Sequence, residues 1–104
     1  MSDPCQGEVW WAEAEDKRRP VLIVTRSEAI PVLTRLVVAP VTRTVRGIPT
    51  EIAVGKDEGL PDEAAASFDN LQPLNRHLLT QRVGALSPAR RHEVCRALDA
   101  LADC

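Results

Sequence analysis

At 104 residues and 44% apolar content the chain fits one domain with a real core, and its apolar runs of four or five residues fall far short of the roughly 20 needed to span a bilayer. A net charge of -2 argues against indiscriminate nucleic-acid binding, and three aromatic residues (Trp10, Trp11 and Phe68) are too few for extended base-stacking platforms. Cys5, Cys95 and Cys104 are odd in number and lack metal-ligand spacing, and with no secretory leader ahead of the first strand this predicts a reducing cytoplasm; no metal and no cofactor are expected.

In chain order, Gly7 breaks the chain ahead of a first strand, Glu8 to Ala12, in which Trp10 and Trp11 point to opposite faces. One tryptophan is expected inside and the other toward solvent or a second copy. Glu13 to Arg19 reads as a tight charged connection. Val21 to Thr25 is short and β-branched, as expected of a strand buried on both faces. The segment Ser27 to Pro31 has room for one helical turn, which Pro31 should stop. Leu33 to Val41 is a third strand, the Arg46-Gly47-Ile48-Pro49 turn follows, and Thr50 to Val54 alternates as a fourth.

After an acidic loop from Gly55 to Glu63, Ala64 to Leu71 is expected as a fifth strand between Pro61 and Pro73, and Thr80 to Leu86 as a sixth. Ser87 as N-cap and Pro88 at the first position open the only helix, with Val94, Leu98 and Leu101 on its apolar stripe and Cys95 expected buried beside it. Short strands followed by one C-terminal helix predict a mainly β fold, a small open barrel with a helix packed on it.

Charge is unevenly distributed along the chain. Residues 17–46 carry seven basic side chains against Glu28 alone, a net +6, and residues 51–70 carry six acidic ones against Lys56, a net -5. The Arg18-Arg19-Pro20 step and the Val41-Thr42-Arg43-Thr44 end each place polar chemistry at the end of an apolar strand. Arginine offers a planar fork and threonine a single hydroxyl, a combination suited to gripping a phosphodiester.

Five blocks in order, Gly7-Glu8-Val9-Trp10, Arg18 to Val24, Val38-Ala39-Pro40-Val41-Thr42, Ser67-Phe68-Asp69-Asn70-Leu71 and Arg82 to Pro88, resemble the MazF/PemK toxin endoribonucleases of type II toxin-antitoxin systems. The resemblance implies an SH3-like barrel of the CcdB/MazF type and a homodimer. It also implies metal-independent cleavage of single-stranded RNA to 2′,3′-cyclic phosphate and 5′-hydroxyl ends, and inhibition by a cognate MazE-like antitoxin. Arg19 and Thr42 match the family's catalytic pair. Arg18 is a further substrate-binding candidate, and Arg43, Thr44 and Arg46 extend a phosphate track or form a solvated turn. Asp69 and Asn70 match a short polar step that either reads base edges or caps a turn.

The chain departs from the family in a shortened loop, Glu13 to Lys17, where Glu15 or Asp16 is the candidate general base although neither aligns with the family's glutamate. His77 and His92 have nothing to place them beside Arg19. The competing function is a non-enzymatic CcdB-like toxin that poisons a protein such as DNA gyrase, for which the chain lacks a bulky aromatic terminus.

Overall fold

The computed structural model describes residues 3–14 and 17–102. Among these residues seven strands, all paired antiparallel, form one curled half-barrel: β1 (Glu8–Ala14), β2 (Lys17–Ile23), β3 (Arg35–Thr42), β4 (Glu51–Val54), β5 (Ala64–Ser67), β6 (Gln72–Asn75) and β7 (Leu79–Ala85). They run in the order β4-β5-β3-β2-β1-β7, with β6 also paired to β3, and α1 (His92–Leu101) ends the described chain. The expected mainly β open barrel with a C-terminal helix takes the form of this half-barrel.

The sheet is covered on both faces, which explains the unbroken apolar run of β2. Leu22 joins Ala39, Ile52, Phe68 and Val94 in one cluster, and its neighbours Val21 and Ile23 join Trp10, Ile30 and Leu36 in the other. Trp10 is buried and Trp11 half-buried, as alternation requires. On α1, Val94 and Ala97 are buried and Leu98 packs against the first cluster. Among the described residues no helix is long and apolar enough to cross a membrane.

The structure corrects several expectations. Charged residues expected in a connection, Glu13 and Lys17 to Arg19, belong to β1 and β2, whose ladder runs out to Ala14↔Lys17. Cross-strand pairing extends these strands beyond their apolar stretch. The proposed fifth strand divides: β5 stops at Ser67, a 3-10 turn over Phe68–Asn70 buries Phe68 completely, and the chain resumes as β6, an element the sequence reading missed because Pro73 masks it. Ser87 and Pro88 begin a 3-10 turn, Pro88–Arg90, and the α-helix starts only at His92. A 3-10 turn over Ile30–Val32 accommodates Pro31 at its start, where no N–H is required. Cys95 is exposed. It lies one step off the stripe of Val94, Ala97 and Leu98, and one step turns about 100° around a helix.

Two glycines bring the 55–63 segment onto β7. Gly59 has φ +89°, and a Cβ there would stand 2.4 Å from the Val83 carbonyl oxygen; a Cβ on Gly84 would stand 2.1 Å from the carbonyl oxygen of Glu58. Backbone meets backbone with no room between. Gly84→Ala should therefore destabilise the fold by the upper part of the about 1–3 kcal/mol that overpacking costs, read from chemical unfolding of both proteins.

Candidate active site

The site arises where β3 changes partners. β2 and β3 pair through Ile23↔Val38, Leu22↔Ala39 and Val21↔Pro40, and there the pairing stops; the next residues of β3, Val41 and Thr42, pair with Ala66 and Ala65 of β5. Pro40 belongs to the last rung itself, and Pro20, the next residue of β2, has no N–H with which to extend the ladder. Carried two residues further, the register sets Arg19 across from Thr42 on strands that are no longer bonded to each other. A cleft opens between them.

Two cavities share this edge. One, of about 450 Å³, is lined by Trp11, Arg18, Arg19, Pro20, Val41, Thr42, Arg43, Leu60, Pro61, Asp62 and Ala64. The other, of about 650 Å³, is lined by Arg19, Pro40, Val41, Thr42, Thr44, Arg46, Ser67, Asp69, Asn70, Leu71 and Gln72. Eight residues singled out from the sequence thus gather along one groove, with Arg19 and Thr42 common to both halves. The proposed bases Glu15 and Asp16 lie outside the described residues.

Within the groove the side chains are held differently. The Arg19 side chain is exposed and makes no hydrogen bond or ion pair among the described residues. Thr42 Oγ1 accepts the Thr44 N–H at 3.1 Å, which fixes the hydroxyl and leaves its proton to donate. Arg18 lies over the Trp11 ring, 4.8 Å from its centroid, and donates to Gln81 Oε1 at 2.8 Å. Arg43 meets Asp62 at 3.7 Å in an exposed pair that contributes little energy. Glu51 accepts the Arg46 and Gly47 N–H groups at 2.9 and 3.1 Å, and its second oxygen stands 3.8 Å from the Arg46 guanidinium.

Asp69 and Asn70 cap turns, the second of the two roles expected of them. Asp69 accepts the Thr50 hydroxyl at 2.6 Å and Asn70 donates to Ser67 Oγ at 2.9 Å, so both brace turns while lining the cavity. His77 and His92 are exposed and line neither cavity. Among the described residues no group of three or more His, Cys, Asp and Glu is placed to hold a metal.

Behind the 55–63 segment stands an ionic cluster. Arg90 donates to both oxygens of Glu93, at 2.7 and 3.0 Å, to Glu58 Oε2 at 3.2 Å and to the Ala53 carbonyl at 2.6 Å. The hydrogen bonds from Arg90 hold the Glu93 carboxyl below its usual range, against the opposing effect of burial. At the other end of the sheet burial pushes Glu8 upward, but bonds from Trp10 Nε1, the Arg82 guanidinium and the Cys5 N–H together bring it below the ordinary value.

A sequence-family model described as the PemK-like, MazF-like toxin of type II toxin-antitoxin systems matches residues 5–102. A probable endoribonuclease MazF5 of Mycobacterium tuberculosis is 40% identical over 104 residues, covering 97% of this chain and 94% of that protein. The chain belongs to the MazF/PemK toxin family. As a MazF-type toxin it is an endoribonuclease of a toxin-antitoxin system. Endoribonuclease MazF3 of the same organism is 40% identical over 83 residues, 80% of this toxin and 81% of that protein. The M. tuberculosis toxin MazF-mt6 superimposes with a TM-score of 0.85 at 36% identity, covering 92% of this chain and 96% of that one. A mycobacterial endoribonuclease in complex with its cognate antitoxin gives a TM-score of 0.81 at 27% identity, covering 97% of both chains.

Several residues of the toxin's groove escaped the sequence reading. Trp11 was placed only by alternation against Trp10, and Leu60, Pro61 and Asp62 sit in an acidic loop that carries no motif. Gln72 comes with the unforeseen β6. The distant signals were Gly59 and Gly84, which mark the close approach that seats the loop.

Glu8 and Glu93 have depressed values in the fold, so the folded toxin binds fewer protons than the unfolded chain once the pH falls below the unfolded carboxylate value of about 4.3. The stability they provide is complete above that pH and is lost as the pH falls toward the depressed folded values. Acid unfolding followed by tryptophan fluorescence should show this loss, with Glu93→Gln giving a shallower acid limb than wild type.

Proposed function

We propose that the toxin cuts single-stranded RNA sequence-selectively and without a metal, with Arg19 and Thr42 as its catalytic pair. The observation that supports this most is the position of those two side chains, one from each of two parting strands, at the edge shared by both cavities. In the reaction the substrate's 2′-oxygen bonds to the adjacent phosphorus as the bond from phosphorus to the 5′-oxygen breaks. The products are a 2′,3′-cyclic phosphate and a 5′-hydroxyl. An internal nucleophile of this kind requires orientation and charge stabilisation from the protein rather than a nucleophilic side chain or metal-activated water.

Arg19, free of internal partners, offers two parallel N–H groups to the phosphoryl oxygens and delivers a proton to the leaving 5′-oxygen. Thr42 donates its hydroxyl proton to a nonbridging oxygen. Glu15 or Asp16, just ahead of β2 in sequence, takes the proton of the 2′-hydroxyl. Arg18, Arg43, Thr44 and Arg46 hold flanking phosphates, and Asp69 and Asn70 face base edges. The toxin acts in the cytoplasm as a homodimer. A MazE-like antitoxin silences it by laying an acidic segment along the groove, carboxylates standing in for phosphates.

Purified toxin incubated with a long single-stranded RNA in EDTA should cleave it and leave cyclic phosphate ends. Arg19→Ala should slow cleavage about 10²- to 10³-fold, as loss of one preorganised donor does. Thr42→Ala should slow it by at least about 10-fold, the loss of one hydrogen bond to a charged group. A requirement for added magnesium, or equal rates for wild type and Arg19→Ala, would refute the mechanism.

A further inference from the structure

We propose that Arg90 and Glu58 are positioning residues for RNA selectivity: they seat the 55–63 segment so that Leu60 and Pro61, together with Trp11, form an apolar slot for the nucleobase beside the scissile phosphate. The inference rests on the RNA-cleaving function proposed above and deepens it. Neither residue lines the groove that Arg19 and Thr42 share. Both act through the segment that walls it.

Glu58 is buried, its side chain only 5% exposed, and both of its oxygens are engaged. Oε1 accepts the Gly55 N–H at 2.6 Å and Oε2 accepts Arg90 Nη1 at 3.2 Å. Burying a carboxylate is costly, and an apolar pair would fill the same volume at no such expense. What the ion pair adds is a defined register, because the planar fork of Arg90 also engages Glu93 and the Ala53 carbonyl and thereby ties the segment to α1 and β4 at once. From the other side, Gly59 and Gly84 press the same segment against β7 without space for one methyl group. The Leu60 N–H closes the turn on the Gly55 carbonyl at 3.0 Å. Little slack remains between Glu58 and Asp62.

The surface so positioned has the chemistry of a base site. Trp11, Pro20, Leu60 and Pro61 supply apolar walls, and Arg18, stacked on Trp11, adds a cation over the ring. The catalytic pair lines the same cavity. A flat, apolar-faced group attached to a phosphate fits this combination, and a nucleobase is such a group.

Cleavage sites on a long RNA are mapped by 5′-end sequencing, with kcat and KM on a short oligonucleotide and thermal unfolding in parallel. Arg90→Ala should relax the preference at one base next to the cut and raise KM about 5- to 20-fold with kcat within about 2-fold, the pattern of lost binding rather than lost chemistry. Arg90→Lys, which keeps the charge but not the fork, should fall between. Trp11→Ala should relax the same base position. Glu58→Gln preserves the Gly55 bond and the packing, so it serves if Arg90→Ala does not fold, and it should shift selectivity in the same direction. Unchanged sites and KM in the folded variants, or a loss of kcat that merely follows the folded fraction, would overturn this inference alone. Failure of wild type to cleave RNA would overturn the proposed function and this inference together.

Discussion

The structure depends on the way β3 divides its hydrogen bonds. Its first half pairs with β6, its middle with β2 and its end with β5, so one strand ties together both parts of the sheet and serves both hydrophobic clusters. A strand cannot bond two diverging neighbours along its full length. Where β3 lets go of β2, backbone pairing gives way to side chains, and the two that face this gap are an arginine and a threonine. The site is therefore a by-product of curling the sheet, placed where Pro20 cannot donate to β3.

The same economy governs the groove's outer wall. The 55–63 segment has almost no regular structure, yet it is gripped by a buried carboxylate on one side and by two backbone contacts at glycines on the other. Loops that carry function are usually mobile elements on a rigid scaffold. Here the scaffold extends into the loop itself, so that helix packing at Arg90 and groove geometry at Leu60 are parts of one arrangement. Damage to either end is expected to reach the other.

How much of this was legible follows from what each signal encodes. Apolar and β-branched runs located the buried centres of β1 to β4, because burial is written into side-chain type. They failed at the charged ends of β1 and β2, where cross-strand partners rather than composition hold the chain extended. The division of residues 64–75 into two strands turns on Phe68 finding the core, a tertiary event that proline spacing obscured. The candidate site residues Arg19, Thr42 and their neighbours were readable because an ordered set of motifs spans them. Leu60 to Asp62 were not, since their role comes from Glu58, Arg90 and Gly84, which are distant in sequence and unremarkable singly.

The pairing of Arg43 with Asp62 and of Arg46 with Glu51 gives the groove a further property. In sequence the basic and acidic stretches look like separate regions; in space the second supplies partners to the first. A phosphate that binds either arginine replaces a carboxylate, and fewer condensed counterions leave than the number of cationic side chains would indicate. Added salt loosens the internal pair as well as the new contact. The ionic-strength dependence of RNA affinity should therefore be set chiefly by Arg19, the groove's guanidinium with nothing to give up.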